Sequence, residues 1–341
     1  MRRPGMAQLA AAAGLSVATV DRALNGREQV RPETLSHIIA VAHQIGHPAA
    51  LRLDPAARRG GSRRFGVVLH KQGQEFYKAF AEELRRAVAG EGSVDGTLLL
   101  EFSLSQSPTE MAGLLRQMAE RCDVVAATAV NHPEVTAAVT ELRAKGIAVF
   151  CLLSEFAAGV AAGYIGLDNA KVGRTAAWMM DKAARGPGTL AIFVGGLRWH
   201  GHDLRDQGFR AYLRSHAPRL TVLDTIINLE TRQLTYEAVL GVLQQRADLR
   251  GIYVAGGGME GAIAAVRDAK AEGRVALVVS ALTPESRRGL QGGQVTLVID
   301  TPLEKLCRDL VRRMARVVPG AAVAVSPPWF LPPDLHVCES I

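Results

Sequence analysis

The sequence predicts an all-α helix-turn-helix headpiece followed by an α/β body of two lobes built on parallel sheets. Three observations carry this. Residues Met6 to Ile45 hold three short stretches of helical period separated by turn signals, short apolar runs alternate with helical stretches from Phe65 onward, and nearly all of the net charge precedes residue 65. Strand and helix in regular alternation mark a parallel sheet covered on both faces. With 341 residues and 48% hydrophobic content, the chain can bury a full core and form two or three compact units of roughly 150 residues each.

Within the first stretch the residues agree with one another. Leu9, Ala10 and Ala13 fall at helical spacing, and Gly14 supplies a backbone able to take the left-handed turn that ends a helix. Ser16 suits the N-cap of a second helix, Val17 to Leu24, in which Val20 and Leu24 face inward while Val17, Ala18, Thr19 and Arg22 point out. Asn25-Gly26 stops that helix. Pro32 fits the first turn of a third, whose apolar stripe is Leu35, Ile38, Ala42 and Ile45. Two short helices pivoting on a glycine turn outline a DNA-reading motif. Charge points the same way: through residue 64, ten arginines stand against Asp21, Glu28, Glu33 and Asp54, a net of +6 out of the chain's +7. A basic excess confined to one small module is suited to phosphate contact.

The run GLSVATVDRALNG, followed by VRPETLSHIIAVAHQIG, resembles the headpiece of the lac repressor (LacI/GalR) family of transcription regulators. Gly14, Ser16, Thr19, Val20, Arg22, Leu24 and Asn25 match its pattern; Asp21 replaces a common serine, a variant associated with a sugar-sensing branch. The resemblance implies that Ser16, Val17, Ala18, Thr19, Arg22 and Asn25 meet DNA, with Val17 and Ala18 choosing the operator sequence. Both are small and apolar, which favours thymine methyl groups over bidentate hydrogen bonds.

Residues 1–47 are therefore expected to form the headpiece, 48–63 a hinge or linker, and 64–341 an effector-binding and dimerisation domain. Pro48, Pro55 and Gly60-Gly61 mark the linker. In the resembled family this stretch forms a helix that inserts a leucine into the minor groove; Leu51 or Leu53 is the candidate here, although Pro55 interrupts the helix and the usual opening motif is missing.

In the body, FGVVL, TLLLEF, VVAATA and AVFCLL read as strands of one lobe, and LAIFV, TVLDTII, GIYVA, ALVVS and VTLVI as strands of the other. GLDNAKVGRTAA, LRDQGFRAYL and GIYVAGGGMEGAIAAVRDA extend the resemblance, and through the lac repressor family to periplasmic-binding-protein-like (type I) sugar-binding proteins. It implies an effector held between the lobes at the carboxyl ends of the strands. Arg205 lines up with an arginine that holds sugar hydroxyls, or else forms a surface ion pair. Phe76 and Tyr77 follow the first strand, where aromatic rings stack on a sugar or pack in the core. Asn131, Ser154 and Asp300 end strands and offer polar groups to the cleft, or cap loops. Where many members place Asn-Asp, this chain has Gly256-Gly257-Gly258. Backbone N–H groups there, Gly257 foremost, suit an anion at a helix N-terminus, which admits a phosphorylated or acidic sugar; a tight turn without ligand is the other reading.

Enzymatic patterns are missing: no GxGxxG follows the first strand, and no Walker motif or nucleophile elbow stands out. His200, His202 and Asp203 imitate a metal cluster, but histidines two apart do not share a helix face, and a loop near the ligand mouth is the plainer reading. No metal or cofactor is expected. No apolar run spans a bilayer, the N-terminus lacks a signal-peptide core, and Cys122, Cys151, Cys307 and Cys338 show no pairing pattern, so a cytoplasmic location is expected. The resemblance implies a homodimeric regulator, a repressor, of carbohydrate uptake and catabolism genes, bound to a near-palindromic operator and controlled by a carbohydrate-like effector. The alternative is a carbohydrate-binding receptor without specific operator recognition. The C-terminal SPPWFLPPDLHVCESI shows no heptads, which speaks against a tetramer built by a terminal coiled coil.

Overall fold

The computed structural model describes residues 4–25, 30–47 and 61–341. Most of the linker, with Leu51 and Leu53, lies outside the described residues. The chain divides into two units.

The first unit contains three helices, α1 (Met6–Ala13), α2 (Val17–Asn25) and α3 (Pro32–Gln44). Gly14 takes φ +64°, and the bonds Gly14 N–H to Ala11 O (3.2 Å) and Leu15 N–H to Ala10 O (3.0 Å) close a Schellman turn. Ser16 Oγ accepts from Thr19 N–H at 3.1 Å, satisfying an orphan donor of α2. Leu9, Ala10, Ala13, Val20, Ile38, Val41 and Ala42 make one buried cluster, against which Leu24, Leu35 and Ile45 pack.

The second unit holds two sheets. The first lobe contains β1 (Ser62–His70), α4 (Glu75–Ala89), β2 (Asp95–Ser103), α5 (Pro108–Arg121), β3 (Val124–Ala127), α6 (Pro133–Ala144), β4 (Ala148–Leu152) and β5 (Gly163–Leu167). The chain then enters the second lobe: α7 (Asn169–Ala183), β6 (Gly188–Val194), α8 (His200–His216), β7 (Leu220–Val222), β8 (Ile226–Ile227), α9 (Arg232–Gln245), β9 (Leu249–Val254), α10 (Met259–Asp268), β10 (Ala276–Ser280), α11 (Pro284–Gln291) and β11 (Leu297–Asp300). It returns through α12 (Leu303–Ala315) and β12 (Trp329–Leu331) to the first lobe, and β13 (Asp334–His336) closes against the second. Strand order is β12-β5-β4-β3-β1-β2 in one sheet and β13-β11-β10-β9-β6-β7 in the other, with β8 beside β6. The paired strands run parallel from β1 through β3, β4 and β5 to β12, and from β6 through β9 and β10 to β11; β13 is antiparallel.

Each lobe has its own core, centred on Val68, Leu115, Val125 and Val149 in the first and on Phe193, Ile252, Val266 and Leu277 in the second. Each such side chain removed from water contributes about 1.5–3 kcal/mol. The continuous apolar runs are buried on both faces, as parallel strands must be. Two expected details differ. TVLDTII breaks into β7 and β8, because Arg210 binds Leu223 O (2.8 Å) and Thr225 Oγ1 (3.0 Å) while Asp206 accepts from the Thr225 hydroxyl (2.6 Å). These partners hold Asp224 and Thr225 off the ladder, while Leu223 N–H still donates to Leu190 O of β6 (2.9 Å). His200–Asp203, expected as a loop, form the first turn of α8.

Candidate ligand cleft

The cleft rests on a close pair of helices. Across α7 and α8, a Cβ built on Gly173 would fall 1.9 Å from Arg205 O, and one on Gly208 would fall 2.2 Å from Ala170 O. Two glycines thus let the backbones touch. That approach brings Asn169 and Arg205 together: Arg205 Nε donates to Asn169 Oδ1 at 2.8 Å, and Nη1 donates to Ala255 O (2.5 Å) and Ser280 Oγ (3.1 Å). The guanidinium therefore ties the start of α7 to the ends of β9 and β10 in one rigid floor.

Beside that floor stands Glu230, buried in the turn before α9. Its Oε1 accepts from Gly257 N–H at 3.1 Å and faces His202 Nε2 at 3.6 Å; its Oε2 accepts from Lys71 Nζ at 3.1 Å. Burial opposes the carboxylate's charge, yet the His202 ring, Lys71 and the Gly257 N–H outweigh it and hold the group below its ordinary range. Burial drives His202 down to about 4, against the opposing pull of Glu230. Gly195 N–H donates to His202 Nδ1 at 3.1 Å, so the neutral ring carries its proton on Nε2, toward Glu230. The glycines of Gly256-Gly257-Gly258 are required here. A Cβ on Gly256 would meet His202 at 2.6 Å, one on Gly257 would meet Glu230 at 2.9 Å, and Gly258 sits at φ +88° as the N-cap of α10.

The first lobe supplies Gln74, Phe76, Tyr77, Thr128, Leu153 and Ser154 to the opposite wall, so that apolar and polar groups from both lobes converge on one enclosed space. The lobes meet through Ser154 Oγ, which accepts from Gly201 N–H (3.0 Å), and Gln106 Oε1, which accepts from Trp199 Nε1 (3.2 Å). Asn131 N–H adds a bond to Arg198 O (2.9 Å), and the His70 ring meets Trp199 edge-on at 5.1 Å. Leu153 (φ +64°), Glu230 (φ +55°) and Ala281 (φ +70°) line the cleft in left-handed conformations. Strain of about 1–3 kcal/mol each is thereby concentrated where the strands end.

Of the residues singled out from sequence, Phe76, Tyr77, Ser154, Arg205 and Gly257 share this lining. Asn131 has an exposed side chain outside it, and Asp300 faces an adjoining groove with Lys305 and Asp334, leaving Thr301 at the cleft. The Gly257 N–H, expected to offer itself to an anionic ligand, is committed to the protein's own Glu230. Glu230, Asn169, Trp199, Thr128 and Glu260 also line the cleft without having been read from sequence, and His202, read as part of a loop near the ligand mouth, lines it from α8. A signal existed for His202, which lies one helical turn before Arg205 and so shares its face. In the three-helix unit, Ser16, Val17, Ala18 and Arg22 are exposed, while Thr19 is half-buried with its hydroxyl 2.8 Å from Ser16 Oγ; Asn25 ends α2. Among the described residues no three His, Cys, Asp or Glu side chains converge as a metal site, and no helix is long and apolar enough to cross a membrane.

Two parallel-sheet lobes joined by three crossings, with polar groups gathered at the strand ends, define a two-lobed binding fold. The family model described as a periplasmic binding protein domain matches residues 65–321, and the chain belongs to that family. A periplasmic solute-binding protein of an ABC transporter from Actinobacillus succinogenes 130z, solved with D-allose, is 17% identical, covering 82% of this chain and 98% of its own, with a TM-score of 0.73. GanP, a glucose-galactose binding protein from Geobacillus stearothermophilus, is 18% identical over 82% of this chain and 99% of its own, with a TM-score of 0.73. At these identities the likeness is one of fold. An uncharacterized HTH-type transcriptional regulator from Streptomyces limosus is 34% identical over 89 residues, which is 26% of this chain; the match spans about a quarter (24%) of that relative's length.

Proposed function

We propose that this protein is a ligand-responsive, DNA-binding transcription regulator of the lac repressor type. One juxtaposition carries the reading: a two-lobed cleft with a rigid polar floor shares its chain with a basic three-helix unit that exposes Val17, Ala18 and Arg22. Residues 1–47 form a helix-turn-helix headpiece, 48–63 the hinge and 64–341 the effector domain. Two headpieces of a homodimer read a near-palindromic operator through Ser16, Val17, Ala18, Thr19, Arg22 and Asn25. The effector is an uncharged, sugar-like molecule, because a phosphate or carboxylate at the triglycine turn would meet Glu230 where an N–H is already used. Its hydroxyls bind Arg205, Ser154 and Asn169, and Phe76 and Tyr77 cover its apolar face. Binding shifts the population between DNA-competent and incompetent forms, in cytoplasm, without catalysis.

The test is sequencing of genomic fragments retained by the purified protein near physiological salt, with and without D-galactose, D-glucose and D-allose. Sharp peaks sharing a palindrome, altered by one of the sugars, support the regulator. Diffuse, salt-sensitive retention supports the second reading, a carbohydrate receptor without operator specificity, which the sugar-binding solved relatives favour. Arg22→Ala is expected to weaken operator and random DNA alike and to reduce the salt slope by about 1; unchanged binding in a filter assay removes Arg22 from the phosphate contacts.

A further inference from the structure

Lys71 and Gln74, from the first lobe, reach across to one short turn of the second. Lys71 Nζ donates to Leu229 O (2.8 Å) and Glu230 Oε2 (3.1 Å), and Gln74 Nε2 donates to Glu230 O (3.0 Å). Lys71 and the two residues it bonds are all in left-handed conformations, Lys71 at φ +46°, Leu229 at +48° and Glu230 at +55°. On one side of this bridge lies the inner cleft; on the other lies a separate groove lined by Lys71, Gly73, Glu75, Thr231 and Arg232. Gln74, Glu230 and Glu260 line both. The bridge is thus the partition between the two spaces.

We propose that the Lys71–Glu230 bridge is the gate of the cleft, through which small molecules pass between the outer groove and the inner chamber. The attachments on the second lobe are the durable ones. Asn228 Oδ1 accepts from Glu230 N–H at 2.9 Å and Gly257 N–H holds the carboxylate, so opening leaves the turn in place and releases Lys71 and Gln74. Lys71 is the side that water can reach, at 21% exposure against 9% for Glu230. A released ammonium rehydrates, while Glu230 keeps part of its partner set; the opening therefore costs less than breaking a fully buried pair and responds to salt less than a surface pair does.

The inference rests on the cleft being the ligand site but needs no knowledge of the ligand. Trp199 lines the inner chamber at 5% exposure, whereas Trp178 and Trp329 are 44% and 43% exposed. In the full chain carrying Trp178→Phe and Trp329→Phe, acrylamide quenching of Trp199 reads access to the chamber. Adding Lys71→Met is expected to raise the quenching constant about threefold, Lys71→Arg to leave it near the parent value, and about 1 M NaCl to raise it in the parent by a smaller factor than Lys71→Met does. The salt titration needs no gate variant and stands if Lys71→Met fails to fold. Quenching unchanged by both salt and Lys71→Met would overturn the gate. The probe is acrylamide, so that outcome is distinct from a failure to bind sugar or operator.

Discussion

The two walls of the cleft differ in chemistry. The first lobe brings uncharged and aromatic groups to the lining, Gln74, Phe76, Tyr77, Thr128, Leu153 and Ser154, whereas Arg205, Glu230 and Glu260 all come from the second. The second wall is also bonded within itself, through Arg205 to Asn169, Ala255 and Ser280 and through Glu230 to Gly257. First-wall groups instead bond across the gap, Ser154 to Gly201 and Gln106 to Trp199. Under the proposed function the difference separates recognition from closure: the wall bonded within itself selects the ligand, and the wall bonded across the gap shuts over it.

That division can be broken by substitution. Arg205→Ala is expected to have the largest effect, weakening binding of the best sugar on the order of 100–1000-fold, about 3–4 kcal/mol, with operator affinity preserved. Calorimetric titration showing normal sugar binding would remove Arg205 from recognition. His202 gives the next effect. Its folded pKa of about 4 lies below the ordinary 6.5, so between these values the unfolded chain holds more protons than the folded one. Stability is therefore full above pH 6.5 and declines as pH falls toward 4, by about 2–3 kcal/mol. His202→Gln is expected to flatten that segment of a urea-melt series, and an unchanged slope would place the loss elsewhere. Ser154→Ala, on the closing wall, is expected to be the mildest: about 1 kcal/mol in sugar affinity, through loss of the acceptor for Gly201 N–H. An effect equal to that of Arg205→Ala would erase the distinction between the walls.

Much of this architecture was legible because parallel strands buried on both faces must be apolar throughout, so LAIFV, GIYVA and ALVVS announce themselves. The strand GYIGL, diluted by two glycines, and the short edge strands Trp329–Leu331 and Asp334–His336 carried no such signal. Arg205 was legible through the resemblance around LRDQGF, and Phe76, Tyr77 and Ser154 through their place after strands. Glu230 was not, because an acidic residue in the loop NLET looks like any solvated turn until Lys71, His202 and Gly257 are seen around it.

By itself the sequence determined the alternation of strand and helix, the concentration of the net positive charge in the first 64 residues, and the glycines that permit left-handed or crowded backbone, since these are properties of neighbours along the chain. Only the tertiary structure decided that the triglycine turn serves a carboxylate of the same chain, that Lys71 reaches residues 229 and 230, and that His202 is held neutral. Those outcomes depend on distance and burial between segments as many as 159 residues apart. No local pattern encodes such a distance; the packing of α7 on α8 and the closing of two lobes create it.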